Sequence, residues 1–507
     1  MSSSPHSHLL ALETGGNQAF VYRGPRLRES IGASALIAAV GTTWVAEAIK
    51  SLQSLGVGNV EPVVTTSGKS ILLGDHQSLR EVLRFVSLRA LADAPGLDVA
   101  GGIVEVGEDG FFLALTAAFA KLAENRTGLR GAEYRLQRLP LVDSCNSSGG
   151  PAAGVVKVRD RSLVLGHEAL AKRSAADGGW RSMTSDEESV TFRRSINDLD
   201  QSLSGSWVAV VHADGSGMGQ TFLSFDEHLR ANNLEHLLET VEASADAYSK
   251  LSKAVEACTR KAWFSAAAKV ATQLGNAQQL DLVPVLLGGD DITVIAAGNV
   301  ALPFAEAYLS EFSRITGDDD DLRELGVGAI SAGAAVVWTK PSFPYHAAYA
   351  LAEERLKHAK SVAKAVTGEG GSPPPVLDVF VLYDSLIENL ERSTPDESST
   401  LLSANPYALA THPSMPSIET LKLTVKELRS DGVSSSQVHE IRTLLTTLGV
   451  NAAVRRFEEL KLDRSTLSPL VHELRGQRMV LLLDALDLGD AMGPADLSDA
   501  DTEGNAS

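Results

Sequence analysis

The sequence contains little cysteine, few basic residues and no long apolar run. Only Cys145 and Cys258 are present among 507 residues, which excludes a disulfide scaffold and a zinc site built from four thiolates. No segment reaches the roughly 18 consecutive apolar residues that a membrane span needs. The first residues also lack the basic and apolar regions of a secretory signal. These absences predict a cytoplasmic protein that does not associate with a membrane.

Acidic residues outnumber basic residues, 64 to 45, which gives a formal net charge of −19. Affinity for duplex DNA depends mainly on neutralising phosphates with Lys and Arg, so we expect no binding to free duplex DNA. Part of the acidity lies in residues 491–507, which we interpret as a disordered tail. Hydrophobic residues nevertheless make up 44% of the chain, enough for several folded domains.

The most informative pattern is an internal repeat. Residues 9–130 alternate between β-type and helical spacing in the order strand, helix, hairpin, helix, strand. The same order returns in residues 205–390. Two successive βαββαβ units predict an α+β fold with two ferredoxin-like sheets and helices on one face of each.

The remaining segments are less regular. Residues 131–204 are rich in Gly, Ser and Ala, and we interpret them as a connecting insertion with little core of its own. Residues 416–490 show helical spacing throughout, which predicts a small C-terminal α-helical domain.

The predicted hairpin of the second unit carries Gly288-Gly289-Asp290-Asp291 at its tip. Two adjacent carboxylates repel each other, so this arrangement is costly unless a cation lies between them. Mg²⁺, or Mn²⁺, prefers such hard oxygen ligands and is often held by one or two carboxylates together with substrate phosphates. The alternative is an ordinary hairpin turn, because Gly and Asp are both common turn residues.

Asp214 ends the first strand of the same unit, and in this topology that strand lies beside the hairpin. We therefore predict that Asp214, Asp290 and Asp291 converge as metal-binding, catalytic residues. The glycines nearby favour a phosphate site, since their backbone amides suit a triphosphate, although their spacing is not the dinucleotide-binding pattern Gly-x-Gly-x-x-Gly. The predicted phosphate-binding residues here are Gly215, Gly217, Met218, Gly219, Gly288 and Gly289.

These residues resemble the palm domain of the large polymerase-like subunit of type III CRISPR effector complexes, and more distantly the GGDEF nucleotide cyclases. The resemblance extends over roughly 160 residues in matching order. It is carried by residues 214–219, 288–291 and 330–335, and by Lys357-His358-Ala359-Lys360 on a predicted helix. It implies that Ser331 and Lys360 contact a nucleotide; for Lys360 the alternative is a solvated helix face.

The first unit resembles the N-terminal palm of the same family through residues 16–21 and 27–34. The tip of its predicted hairpin, residues 65–70, has no carboxylate, so we expect a degenerate palm. Gly68-Lys69-Ser70 does not fit a Walker A motif, because Val63 stands where that motif requires glycine. In the family two ATP molecules bind between the palms, which implies a nucleotide contact for Ser34; the alternative is helix packing.

The resemblance implies that ATP molecules are joined through 3′–5′ linkages into a cyclic oligoadenylate of antiviral defence, with Mg²⁺ or Mn²⁺ as cofactor. It also implies other CRISPR effector subunits and guide or target RNA as partners. Two alternatives stay open. One is a non-catalytic nucleotide-binding scaffold subunit, and the other is a cyclase that makes a cyclic dinucleotide from GTP.

The chain departs from the family in three respects. It shows no His-Asp pair in a helical setting, so we expect no HD nuclease activity and no cleavage of single-stranded DNA. Cys145 alone stands where many members carry zinc-binding cysteines, so we expect no zinc. Ser216 replaces a second acid that is common in close relatives, which predicts weaker or altered activity.

Overall fold

The structure is a computed structural model. It describes residues 7–492 except 57, 109, 129–140, 159–160, 186–189, 201–206, 276–278, 369–370, 384–399, 402, 430–433, 460–470 and 475–476. The predicted acidic tail, residues 491–507, lies outside the described residues from position 493 onward.

The first repeat unit forms a four-stranded antiparallel sheet in the order β2-β3-β1-β4. This is the order that a split βαβ arrangement produces. Its elements are β1 (His8–Gly15), α1 (Asn17–Tyr22), α2 (Leu27–Gly41), α3 (Thr43–Ser54), β2 (Val60–Thr66), β3 (Lys69–Gly74), α4 (His76–Asp93), β4 (Asp98–Glu105) and α5 (Gly110–Gly128). Helices α2 and α3 meet at Thr42.

The insertion between the two units contains more regular structure than its composition indicates. Its elements are β5 (Gly154–Val158), β6 (Arg161–Leu165), α6 (His167–Thr184), β7 (Thr191–Phe192) and α7 (Ile196–Asp200). Among its described residues, a small cluster of its own forms around Cys145, Leu165 and Ala169. Helix α6, however, packs closely along α2 of the first unit and also contacts β10 (Leu282–Gly288) of the second.

The second repeat unit forms the same four-strand order and then extends it. Its elements are β8 (Val208–Gly215), α8 (Met218–Leu223), α9 (Phe225–Ala231), α10 (Val241–Gln273), β9 (Gln279–Leu280), β10 (Leu282–Gly288), β11 (Asp291–Ala297), α11 (Gly298–Asp318), α12 (Asp320–Glu324), β12 (Ala332–Thr339), α13 (Tyr345–Thr367) and β13 (Val376–Val381). A short 3-10 helix, Glu235–Leu238, precedes α10. The sheet also contains β13, which is parallel to β12, and the edge strand β15 (Tyr407–Ala408), in the full order β10-β11-β8-β12-β13-β15.

The hydrophobic spacing predicts helices throughout the C-terminal region, but the structure also contains strands there. Its elements are β14 (Thr400–Leu401), β15 (Tyr407–Ala408), α14 (Ile418–Leu428), α15 (Ser435–Thr447), α16 (Val450–Glu459), β16 (Val471–Leu474), β17 (Gln477–Val480) and α17 (Leu482–Ala491). Strands β16 and β17 form a hairpin within the range predicted as helical. Helices α14 and α17 pack together, and α17 also packs against β13 of the second sheet.

Both sheets are covered on both faces, which corrects the expectation of helices on one face. In β1, Leu9 and Ala11 belong to a core cluster shared with α5 and α10, whereas Leu10 and Leu12 face the cluster formed by α2, α3 and α4. Because strand side chains alternate between faces, consecutive apolar residues require apolar neighbours on both sides. The mixed sheet and helix architecture confirms the predicted α+β class.

One helical stretch, Leu27–Ser54, has the length and apolarity of a membrane span, with a mean hydropathy of 1.4 over its best window. Inside the protein 61% of that window is buried. The stretch consists of α2 and α3, which pack against α6 and α4. A core helix passes the same test of length and apolarity, and the burial of this stretch favours that role.

Candidate functional site: a cleft between two sheets

The glycine-aspartate tip forms a two-residue β-turn between β10 and β11. Gly288 pairs with Asp291 in the antiparallel register, so Gly289 and Asp290 are the turn residues. Gly289 has φ +61°, and a positive φ at the first turn position is the reason that tight hairpins place glycine there. The short turn holds the two carboxylates at the end of the sheet.

The register of the neighbouring strand brings the third carboxylate to the same end. Asp214 is the next-to-last residue of β8 and pairs directly with Asp291. Residues directly opposite in an antiparallel pair have Cβ atoms about 5 Å apart. The structure therefore brings together Asp214, Asp290 and Asp291, as the sequence predicts; their catalytic role stays a prediction.

Burial and nearby negative charge make the ionised forms of Asp290 and Asp291 unfavourable. Burial, followed by the nearby charge of Asp214, raises the pKa of Asp290 to about 7. Burial and the charges of Asp290 and Asp214 raise the pKa of Asp291 well above its ordinary value. The charge of Lys360 opposes both shifts. A site with these properties favours an additional cation.

Lys360 reaches the acidic site from α13. Its Nζ donates to Asp214 Oδ2 at 2.5 Å and to the carbonyl of Gly215 at 2.6 Å. It is therefore not a solvated helix residue. Lys357, one turn earlier, pairs instead with Glu353 and is 73% exposed.

The loop after β8 is held close to the turn. The amide of Gly215 donates to the carbonyl of Asp290 at 3.2 Å, and a Cβ at position 215 would lie 2.9 Å from Asp290 Oδ2. Gly217 has φ +77° and precedes α8. Gly217 and Gly219 both leave open space where a Cβ would be.

Ser331 does not line the cleft, unlike the other predicted binding residues. Its carbonyl accepts a hydrogen bond of 2.8 Å from the amide of Ser216, and its side chain is buried. The hydroxyls of Ser331 and Ser216 have no hydrogen-bond partner among the described residues. Ser331 therefore supports the loop from beneath.

A cleft of about 830 Å³ separates the two sheets, within the range of small-molecule sites. From the second unit it is lined by the three aspartates, Lys360, and the glycines and Met218 predicted to bind phosphate. Ser34 of α2 lines the opposite wall. Aromatic side chains that the sequence analysis did not single out form an apolar part of the lining: Tyr22, Phe112, Phe119, Phe222, Tyr248 and Tyr349.

The two units meet at the rim of the cleft. The rings of Tyr22 and Tyr349 stack with centroids 3.8 Å apart. Gln18 donates to Glu353 at 2.5 Å. The two hairpin tips also touch, since a Cβ at Gly288 would lie 3.1 Å from the Cβ of Ser67. These contacts fix the spacing of the two cleft walls.

The first unit contributes a lysine that sequence reasoning missed. Lys69 begins β3, pairs with Glu13 of β1 in the register, and lines the cleft. Its ammonium lies 4.5 Å from the centroid of the Phe119 ring. Burial lowers the pKa of Lys69, while Glu13 and Asp290 oppose that shift. Comparing the two hairpins position by position would have identified it.

The acidic residues fit a cation that is held jointly with a substrate. Within the described parts of the chain, no group of three or more His, Cys, Asp or Glu side chains is arranged so that it could hold a metal ion. Mg²⁺ at phosphate-transfer sites usually keeps only one or two protein carboxylates, so a complete cage is not required. The observation that fits a divalent ion is that the strand register brings Asp214, Asp290 and Asp291 together.

Residues 207–366 match the family model described as Cas10/Cmr2, second palm domain. The matched range contains all three aspartates and Lys360. A comparison with curated proteins gives no match.

Solved structures of Csm1-Csm4 cassettes share the fold. A chain of the cassette in complex with cA3 is 16% identical with a TM-score of 0.56, and the alignment covers 97% of this chain and 70% of that one. The cassette in complex with one ATP gives the same values. The cassette in complex with cA4 is 15% identical with a TM-score of 0.52, covering 90% of this chain and 64% of that one. At these identities the likeness is one of fold, and the chain spans about two thirds of the length of its structural relatives.

Proposed function

We propose that this chain, a Cas10-like subunit whose residues 207–366 match the Cas10/Cmr2 second palm domain, binds ATP between its two sheets and joins ATP into a cyclic oligoadenylate. The observation that carries the proposal is the convergence of Asp214, Asp290 and Asp291 at one wall of the cleft. The domain boundaries given above, 9–130, 131–204, 205–390 and 416–490, are part of the proposal.

The arrangement of the second wall suits nucleotidyl transfer. Asp214, Asp290 and Asp291 would hold Mg²⁺ or Mn²⁺, which lowers the pKa of a bound hydroxyl and offsets charge on the leaving pyrophosphate. The glycine loop leaves room for a triphosphate beside these carboxylates, because positions 217 and 219 carry no side chain. Lys360 holds Asp214 in place and supplies one positive charge next to the phosphates.

The structural relatives support a nucleotide in this cleft. Cassettes with this fold have been solved with one ATP and with cA3. The cassettes pair Csm1 with Csm4, which supports other CRISPR effector subunits as partners of this chain. Guide or target RNA is a further proposed partner. The apolar lining would enclose the bases, since aromatic rings stack on them favourably.

The test is a product assay with labelled ATP or GTP and Mg²⁺ or Mn²⁺, for the chain alone and with effector subunits and target RNA added. We expect a phosphatase-resistant cyclic product from ATP that the Asp290→Ala/Asp291→Ala variant does not make. The matched control is Asp320→Ala/Asp321→Ala, which removes two adjacent acids from α12, outside the cleft lining, and should leave product formation unchanged.

The other outcomes separate the alternatives. A cyclic product from GTP alone would replace the oligoadenylate synthase with a cyclic-dinucleotide cyclase. ATP binding without product under every condition would leave the non-catalytic scaffold. Product formation that survives in the Asp290→Ala/Asp291→Ala variant would contradict the assignment of the site.

A further inference from the structure

The hairpin of the first unit repeats that of the second in detail. Both edge strands contain a proline followed by a β-bulge, at Pro62 in β2 and at Pro284 in β10. Both hairpins then close through two turn residues, so that the residue after the turn is Lys69 in the first unit and Asp291 in the second. Lys69 therefore occupies the position equivalent to that of Asp291.

The strand beside each hairpin is also equivalent. Glu13 of β1 pairs with Lys69, as Asp214 of β8 pairs with Asp291. The acid on the central strand is kept in both units. The acid that faces it in the second unit is replaced by a cation in the first.

In each unit, a basic side chain on the helix that follows the fourth strand pairs with the acid of the central strand. Arg126 of α5 pairs with Glu13 at 3.3 Å and donates to the carbonyl of Thr14 at 3.1 Å. Lys360 of α13 makes the corresponding bonds to Asp214 and to the carbonyl of Gly215. At these equivalent positions the second unit has three carboxylates and one cation, whereas the first unit has one carboxylate, Glu13, and two cations, Lys69 and Arg126.

Lys69 is left available by this arrangement. Arg126 is the ion-pair partner of Glu13, and no described residue forms an ion pair with Lys69. The side chain of Lys69 is half-buried and lines the cleft beside Phe119. Burial disfavours an ammonium that has no carboxylate within ion-pair distance, and the more distant charges of Glu13 and Asp290 only oppose that effect. An anion bound at Lys69 would therefore stabilise its charge.

We propose that Lys69 is a built-in cation that binds a phosphate group on the first-unit wall of the cleft and makes binding there independent of metal. It does so at the position where the second unit uses a metal-binding carboxylate. The proposal rests on the proposed function for the identity of the ligand, a nucleotide polyphosphate. It adds that the two walls bind phosphate by different means, one through a divalent ion and the other through Lys69.

The experiment measures ATP and adenosine binding to the full chain by calorimetry in EDTA, which removes divalent ions. We expect wild-type protein to retain an ATP site under these conditions. Lys69→Gln should weaken ATP binding in EDTA by about tenfold or more, because a hydrogen bond to a charged group is lost. It should leave adenosine binding unchanged, since adenosine has no phosphate. Lys69→Arg should restore most of the ATP affinity.

The readouts distinguish a phosphate contact from a structural role. If Lys69 only maintained the fold, Lys69→Gln would weaken adenosine and ATP equally. Equal ATP affinity of wild type and Lys69→Gln in EDTA, or no ATP binding by wild type in EDTA, would overturn the proposal. Salt gives a second measure, since removing one phosphate contact should reduce the dependence of ATP affinity on salt concentration.

Failure here is separable from failure of the proposed function. Suppose that cyclic product is lost in Asp290→Ala/Asp291→Ala, while Lys69→Gln binds ATP in EDTA as well as wild type does. That result would refute the role of Lys69 alone. Weakened ATP binding of Lys69→Gln in EDTA, without any cyclic product from wild type, would support the role of Lys69 and refute the synthase.

Discussion

At the scale of single residues, the acidic site depends on glycine at position 215, where there is no room for a side chain. Gly215 follows Asp214 and lies against the turn, so that a Cβ there would be 2.8 Å from Met218 Cγ and 2.9 Å from Asp290 Oδ2. In proteins a Cβ atom essentially never lies within 3.0 Å of a non-bonded heavy atom. The Asp290 carboxylate occupies the space that only glycine leaves free.

Gly215→Ala should therefore displace the Asp290 carboxylate. We expect product formation with Mg²⁺ to fall on the order of tenfold to a hundredfold, since small misplacements of reacting groups have effects of that size. The matched control is Gly328→Ala, where a Cβ meets nothing within 4 Å. Wild-type rates in Gly215→Ala would show that Asp290 does not need this position. The measurement is the product assay described above.

At the scale of elements, a close helix crossing joins the insertion to the first unit. A Cβ at Gly32 of α2 would lie 1.6 Å from the carbonyl oxygen of Lys172 in α6. Lys172 is itself buried and pairs with Glu168 at 2.5 Å. Since α6 also contacts β10, this crossing links the first unit to the strand that leads to the turn at Gly289 and Asp290.

Gly32→Ala should separate the two helices. We expect a loss of about 2 kcal/mol in the free energy of unfolding, the usual size of an overpacking effect. Gly178→Ala is the control on α6, because its added Cβ meets nothing within 4 Å. Alanine is also the better helix former there, so stability should be unchanged or rise by about 0.5 kcal/mol. Chemical denaturation of both variants measures the difference, and equal stabilities would disprove close packing at Gly32.

At the scale of the whole molecule, a buried carboxylate attaches the C-terminal helix α17 to the second sheet. Asp484 accepts hydrogen bonds from Tyr407 Oη at 2.6 Å, the amide of Ala404 at 2.8 Å and Ser403 Oγ at 3.1 Å. Burial nevertheless raises the pKa of Asp484 to about 7. The folded protein thus keeps a proton on Asp484 at pH values where the unfolded chain has lost it.

This difference gives a stability that depends on pH. Because the folded pKa is the higher one, the unfolding free energy should fall as pH rises from the ordinary aspartate range through about 7. Asp484→Asn keeps an acceptor but cannot ionise. In wild type the unfolding free energy should decrease between pH 5 and pH 8, and we expect Asp484→Asn to make that decrease smaller by about 2 kcal/mol.

The control for this prediction is Asp490→Asn, which removes a half-exposed carboxylate from the same helix. Denaturant unfolding of the three proteins at several pH values measures the effect. The same pH dependence in wild type and Asp484→Asn would rule out Asp484 as its source.

The acidic half of the site was predictable from the sequence. A two-residue turn fixes the strand register locally, so the glycine and aspartate spacing determines that Asp290 and Asp291 lie at the tip. The repeat order then places the strand ending in Asp214 beside them. The aromatic lining was not predictable, because Phe112, Phe222 and Tyr248 belong to helices whose approach depends on the packing of both units.

The sequence by itself determined the α+β class, the two repeated units and the meeting of three carboxylates, because hydrophobic periodicity and turn chemistry act over short distances. Only the tertiary structure decided what the distant residues do. Packing of distant segments places α6 against α2, brings Lys360 to Asp214, keeps Ser331 out of the cleft lining and places Lys69 within it. Those outcomes depend on which surfaces pack together, and packing is a property of the whole chain.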